Sequence, residues 1–526
     1  MSAKKTKVVI VGGGTAGWLT AGILASRFAS DGHSSMQITL VESPDVETIG
    51  VGEGTWPSMR TTLQKMGVSE TQFMRECDVS LKQGTRFDGW GRDVKNGQQS
   101  DDYYYHPFSL PQGFSSINLA KYWQQSNDQS SFADAVCLQS AICHRGLAAK
   151  QITTPEFAFN VNYGYHLDAG KFATFLKSHC TEKLGVRHVL DHVISVKADD
   201  DGYIESIEAT KNGPIEGDLF VDCTGFASIL LGKHYGIKLL DKREVLFNDS
   251  AIAIQVPYNN SSDPVLSYTL STAQSAGWIW DIGLPTRRGV GYVYSSDHTS
   301  DDAANETLMQ YVSSSVGSAQ ANQLSSRKLS IKPGYREKFW HKNCVAIGLS
   351  AGFVEPMEAS ALVLVELSAQ MLAEQFPVDR ETMNIVANKF NQKFTYRWQQ
   401  IIDFLKLHYV LTTRKDSDYW LDNCRTESIP ESLQQSLQLW KTQVPWHFDT
   451  PHIDEMFPSA SFQFILYGMG FETNVNCLLE RTNTQMKSQA EALMRENQKQ
   501  ITKLLGVLPD NRDLLNKVAK FGFQKI

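Results

Sequence analysis

The sequence predicts an α/β fold: a Rossmann-type nucleotide-binding domain with an inserted antiparallel β-sheet, and then a mostly α-helical C-terminal region. Three observations predict it. A β-branched run, Lys7 to Val11, ends in Gly12-x-Gly14-x-x-Gly17 and passes into a helix of small and apolar residues. Short alternating strands separated by turn residues fill 186–226. Beyond about Glu381, apolar residues recur at helical spacing.

Taken in order, Trp18 to Phe28 reads as the first helix and Gln37 to Glu42 as the second strand. Together they open a βαβ unit. In the inserted sheet the strands are His188 to Val196, Tyr203 to Thr210 and Asp218 to Asp222. Asp200-Asp201-Gly202 and Asn212-Gly213 supply the turns between them. Asn343 to Ile347 is a further strand leading into Gly348 and the segment Gly352 to Val365. Helices are expected over Asn384 to Val410, Ser488 to Leu505 and Asn511 to Phe521. Pro445, Pro451 and Pro458 punctuate an irregular stretch between them. The expected division is a first domain over 1–395 and a helical region over 396–526 that covers the substrate site.

Composition narrows the function classes. With 526 residues and 42% apolar content the chain can bury a large core. A net charge of −7 argues against nucleic acid or an anionic membrane as partner, because phosphate contacts need a basic surface. No apolar run approaches the roughly 18 residues that span a bilayer. Met1 to Lys7 lacks the apolar stretch of a secretory signal. The eight Cys are scattered with no C-x-x-C pair and read as reduced thiols, so a cytoplasmic location is expected.

The glycine motif carries the first chemistry. Gly12 permits the tight turn, Gly14 lets backbone approach a pyrophosphate, and Gly17 lets helix and strand pack closely. Thr15 and Ala16 join the cofactor-binding set, and the N-terminal amides of the helix that follows suit phosphate. Glu42 ends the second strand and can accept hydrogen bonds from a ribose. An enzyme that reduces its own flavin through a second Rossmann domain needs two such fingerprints. Only one is present, since Gly468-x-Gly470 lacks the third glycine. Asp222-Cys223-Thr224-Gly225-Phe226 closes the antiparallel segment in the manner of FAD proteins. The expected cofactor is FAD, with electrons supplied from elsewhere.

With these pieces in place, the chain resembles the flavin-dependent tryptophan halogenase family over most of residues 5–425. Gly12 to Gly17 followed by Trp18 matches the family's opening. Gly50-Val51-Gly52-Glu53-Gly54-Thr55 is similar to its flavin-contacting strap. Lys82-x-Gly84-x-x-Phe87-x-x-Trp90 is similar to the segment with its essential lysine, and Trp278-x-Trp280-x-Ile282 to its WxWxI signature. Phe353-Val354-Glu355-Pro356-Met357-Glu358 places Glu358 at the family's catalytic carboxylate.

The resemblance implies roles for these positions. In the family, reduced FAD and oxygen convert halide to hypohalous acid, which travels through the protein to an aromatic ring. Lys82 would hold the electrophilic halogen against one ring carbon, a positioning effect. Taken alone, it reads as a solvated surface charge. Glu358 would polarise the halogenating species or accept the ring proton. Its bland reading is a carboxylate at a helix entry. Glu355, before a proline, reads as structural. Ala359 stands where the family often has Ser. The amides of Ser360 and Ala361 match the halide-binding positions, as a nest or helix N-terminus suits an anion. Gly348 joins the cofactor-binding set. Trp278, Trp280 and Ile282 would line the region between flavin and substrate, against the plain reading of strand aromatics filling a core. Pro285 is displaced from its place directly after the isoleucine. His106-Pro107-Phe108 is similar to the H-x-F whose rings sandwich indole, against the reading of His106 as an exposed loop histidine. His188-x-x-x-His192 falls in strand, where the spacing does not form a metal site, and no metal is expected.

The expected function is therefore an FADH2-dependent halogenase using chloride or bromide on indole or an indole derivative. It implies a separate NAD(P)H-dependent flavin reductase and a small aromatic substrate, and a homodimer is compatible with it. A flavin-dependent aromatic hydroxylase is the alternative, and a non-catalytic flavin-binding protein a third reading. Trp446 to Phe471 corresponds to the stretch that holds the zwitterion of tryptophan in tryptophan-specific members. It lacks the paired Tyr and the Glu, so free tryptophan is not the expected substrate.

Overall fold

The computed structural model describes residues 5–30, 33–34, 36–46, 52–91, 102–126, 130–450, 452, 454–474 and 484–524. The chain divides into two compact units, each made of three segments. The first takes residues up to 79, 167–241 and 332–398. The second takes 80–166, 242–331 and 399–526.

The first unit is built on a six-stranded sheet. Its order is Arg187–Leu190, Met36–Glu42, Thr6–Val11, Leu219–Asp222, Cys344–Ala346 and Trp340–His341. The first five run parallel and the last pairs antiparallel. Val8, Val9 and Ile10 are buried in succession, as a parallel strand covered on both faces requires. The helix Thr15–Phe28 covers this sheet and packs on Ala169–Glu182 and Ser360–Glu374. Thr6–Val11 lies between strands reached on opposite sides, so its C-terminal end is a topological switch point, where open α/β sheets bind ligands.

The antiparallel insert is smaller than expected. It consists of Val193–Ala198, Ile204–Ala209 and Gly213–Glu216. The strand expected over 188–196 is two strands, because the Asp191 carboxylate accepts the amides of His192, Lys211 and Asn212, each at 2.8 Å, and interrupts the ladder. Leu219–Asp222 is fully buried and joins the parallel sheet instead.

The expected cut at 395/396 falls inside one helix, Arg380–Val410. Phe390, Phe394, Trp398, Ile401 and Leu405 continue its buried stripe through that point, so nothing local ends it. The second unit also carries a seven-stranded sheet that the sequence reading did not anticipate. Its order is Ser326–Ser330, Ser250–Pro257, Arg287–Tyr294, Gly277–Gly283, Thr269–Gln274, Gly84–Asp88 and Tyr103–Pro107. Ile252, Ile254, Ile279 and Val290 from one face form a core with Ala304, Leu308 and Val312 of the helix Asp301–Val316. Thr484–Leu505 and Asn511–Phe521 are the expected terminal helices. Among the described residues, no helix is long and apolar enough to cross a membrane.

One buried acid in the first unit gives a stability prediction. Glu366 is fully buried and accepts the hydroxyls of Ser58 and Thr62. Burial pushes it up to about 7, and the two hydroxyls offset that only in part. The native state therefore holds a proton there that the unfolded state releases above the ordinary carboxylate range. Stability must fall as pH rises from about 4.5 to 7, by up to about 3 kcal/mol by linkage. Melting curves from pH 5 to 8 should show a smaller pH dependence for Glu366→Gln than for wild type, and the variant should be the more stable above pH 7.

Candidate active site

The first unit carries the nucleotide side. Gly12 has φ +118°, and its amide donates to Val41 O at 2.8 Å. A Cβ on Gly12 would sit 2.1 Å from Cys223 O, and one on Gly17 would sit 1.9 Å from Gly12 O. Protein packing alone therefore demands those two glycines. Gly14 differs: a Cβ there meets nothing within 4 Å. The open space lies beside the first turn of the helix that Thr15 and Ala16 begin. It is the cradle that a dinucleotide pyrophosphate needs, and FAD fits it. Gly348, at φ +80°, closes on the same turn, since a Cβ on it would come within 2.7 Å of the Ala16 Cβ.

Glu42 ends its strand as expected. Its carboxylate accepts Lys177 Nζ at 3.1 Å and meets His188 Nε2 at 2.7 Å. Both contacts fall on Oε2. Asp222 is a structural hub. It is fully buried and receives the amides of Thr224, Leu230 and Leu231, fixing the turn after its strand. Gly50 and Val51 lie outside the described residues. Gly52 and Glu53 begin the strand Gly52–Gly54. Burial, with the Asp168 carboxylate second, pushes Glu53 up to about 7.

Glu355 and Glu358 are both buried, at 1% and 4% exposure. The Glu358 carbonyl accepts Trp56 Nε1 at 2.8 Å, which holds the segment in place. Ala359 adopts a left-handed conformation, φ +53°, and caps the helix Ser360–Glu374 with no side-chain capping bond. The amides of Ser360 and Ala361 therefore open a helix whose cap residue offers them no oxygen. Such an end suits an anion, and halide fits it.

The second unit carries the lysine and the rings. Lys82 ends the strand Ser80–Lys82, which runs antiparallel to Gly164–Asp168. It is 1% exposed, not a solvated surface charge. Its Nζ stands 5.5 Å from the centre of the Phe108 ring, a cation–π distance. Gly84 brings the next strand against His106, since a Cβ on it would lie 2.4 Å from His106 O. The structure thus brings Lys82 and Phe108 together, and His106 beside them in sequence and strand.

His106 is buried rather than a loop histidine. Its Nε2 is 2.9 Å from Ser461 Oγ, and its ring lies 5.4 Å from Phe404 and 6.4 Å from both Phe457 and Phe464, centre to centre. Phe404 and Phe457 stack at 3.8 Å. Sequence reasoning missed Phe404; Phe457 and Ser461 lie in the stretch 446–471 that it placed at the substrate, but it did not single them out. The only signal was the aromatic run around Phe462 and Phe464.

Trp278, Trp280 and Ile282 lie on one strand face, opposite the face that packs on Asp301–Val316 through Ile279. Trp278 is 6.3 Å from Trp90 and 6.4 Å from Trp280 in a buried aromatic group. The Trp280 ring fills the space over Gly291, where a Cβ would come within 2.1 Å. The strand ends at Gly283, whose carbonyl accepts the Ser80 hydroxyl. The signature strand is thereby tied to the lysine strand two residues from Lys82. The displaced Pro285 sits in the turn closed by Leu284 N to Arg287 O.

The comparisons with known proteins place the chain in a family. A family model described as tryptophan halogenase matches residues 7–483. The solved tryptophan halogenase of Shewanella frigidimarina is 50% identical, with 99% of each chain covered and a TM-score of 0.95. BrvH, a flavin-dependent halogenase from a Brevundimonas species, is 31% identical, with 98% of this chain and 100% of that one covered and a TM-score of 0.84. Tryptophan 6-halogenase SttH of Streptomyces toxytricini is 33% identical over 88% of this chain and 89% of its own. The chain belongs to the tryptophan halogenase family and is an enzyme of the flavin-dependent halogenase class.

Proposed function

We propose that the chain halogenates a small, uncharged, electron-rich aromatic, indole or a simple indole derivative, in preference to free tryptophan. The observation that carries this reading is the make-up of the cluster at His106. Its neighbours are the rings of Phe404, Phe457 and Phe464 and the hydroxyl of Ser461. Gln463, the amide in this stretch, is fully buried and donates to Pro445 O at 2.7 Å and Asn118 Oδ1 at 3.1 Å. An ammonium and a carboxylate set among these groups would lose their water without recovering its free energy. A flat apolar ring loses little there and gains aromatic contact.

FAD would be held by the Gly12 to Gly17 turn, Glu42, Gly52 to Glu53 and Gly348, and when reduced it would supply two electrons that bring oxygen to the peroxide level, the oxidant that takes two electrons from chloride or bromide to give hypohalous acid. The amides of Ser360 and Ala361 hold the halide. Lys82 binds hypohalous acid through its ammonium and orients it toward a ring carbon. Glu358 takes the proton that the ring loses as the carbon–halogen bond forms. The balance is simple: the aromatic C–H and HOX become C–X and water. Reduced flavin comes from a separate NAD(P)H-dependent reductase, because the chain has one nucleotide fingerprint.

Without a carboxylate clamp, substitution should fall on the ring's most nucleophilic carbon, C3 of indole. In a competition between equimolar indole and L-tryptophan, 3-haloindole should dominate. A clear preference for tryptophan, or tryptophan halogenated at one benzo-ring carbon, would overturn the substrate assignment.

A further inference from the structure

One buried histidine beside the lysine has no part in the scheme above. Across an antiparallel pair, directly opposed residues point to the same face. Ser80 opposes His166 and Lys82 opposes Gly164. Ser80 and Lys82 alternate onto one face, so His166 shares that face with Lys82 as its diagonal neighbour. Gly164 puts no side chain opposite the lysine. His166 is 0% exposed. Its Nε2 is 2.8 Å from Thr269 Oγ1, which fixes the ring. Its Nδ1 is buried with no hydrogen-bond partner in the protein. Buried polar atoms are rarely left so, and an orphaned one marks a place where something else binds. Burial, and the Lys82 charge second, hold the imidazole well below its ordinary range, so the ring is neutral.

We propose that His166 Nδ1 is a second hydrogen-bonding contact for the hypohalous acid at Lys82. The inference rests on the halogenase reading given above. Hypohalous acid carries one O–H donor and oxygen lone pairs, so it can meet either tautomer of His166. Two contacts on one small molecule fix its direction more closely than the Lys82 ammonium alone. No bond is made or broken at His166; the ring orients the oxidant and remains neutral.

The test separates the two ring nitrogens. His166→Gln places an amide near Nε2 and keeps the tie to Thr269, whereas His166→Asn places one near Nδ1. Brominated indole formed per reduced flavin oxidised is measured with reduced FAD, bromide and indole, with methionine present to consume escaping hypobromous acid. His166→Gln should lose about tenfold in this ratio, the factor of one ordinary hydrogen bond, and His166→Asn should stay close to wild type. His166→Leu, which offers neither nitrogen, should also lose about tenfold and serves if the Gln variant does not fold. A purely structural role predicts the opposite order, with Gln tolerated and Asn damaging. Wild-type coupling in the Gln or Leu variant, or equal losses for Gln and Asn, overturns the proposal. If wild-type protein brominates no indole, the halogenase reading itself fails; if it does and the variants match it, this inference alone fails.

Discussion

Replacing Lys82 with alanine or methionine should cut aromatic halogenation by about 100- to 10,000-fold, the range lost with a positioned catalytic group. Binding of FAD and oxidation of reduced flavin should persist in both variants. The reason is the location of the lysine. It ends a strand of the second unit, fully buried against Phe108, while the glycine cradle belongs to the first. In the proposed scheme it acts on hypohalous acid after that acid has formed. Methionine keeps most of the buried volume, so it separates loss of charge from loss of packing. Loss in alanine alone would mean that the side chain matters only as filler. Regioselective halogenation at the wild-type rate in both would remove Lys82 from the mechanism.

Gly14→Ala should weaken FAD binding by at least about tenfold while leaving the melting temperature nearly unchanged, as surface substitutions do. The new methyl group meets no protein atom within 4 Å, so only a bound pyrophosphate can object to it. Gly17→Ala is the contrasting control. Its methyl would lie 1.9 Å from Gly12 O, so the helix must move and the fold must lose stability whether or not FAD is present. Fluorescence titration with FAD and thermal melts of the two variants give the comparison. Unchanged FAD affinity in a folded Gly14→Ala protein would place the flavin elsewhere.

Local features were the most legible in the sequence. The helix Asn511–Phe521 and the strand ends around Gly12 and Glu42 match their expected bounds, because periodicity and glycine chemistry act over a few residues. The resemblance named Lys82, but only the structure shows its burial. A lysine between Leu81 and Gln83 has no local sign of being enclosed. Chain-wide organisation was least legible. The chain passes between its two units near 79, 166, 241, 331 and 398, and no change of composition marks those points. The seven-stranded sheet joins strands from 84 to 330, pairings that no local pattern encodes. His166 and Ser461 were not singled out for the same reason. Each has its partner, Thr269 or His106, more than a hundred residues away.

The central claim is that this chain puts halogen, not oxygen, on an aromatic ring. Mass spectrometry of indole incubated with the protein, a flavin reductase, FAD, NADH and either chloride or bromide tests it most directly. The account predicts a monohalogenated indole with the paired isotope pattern of the halide supplied, reduced by about 100-fold or more when Lys82→Met replaces wild type and methionine is present to consume escaping hypohalous acid. A hydroxylated indole in its place, or unchanged indole alongside complete consumption of NADH, would contradict it.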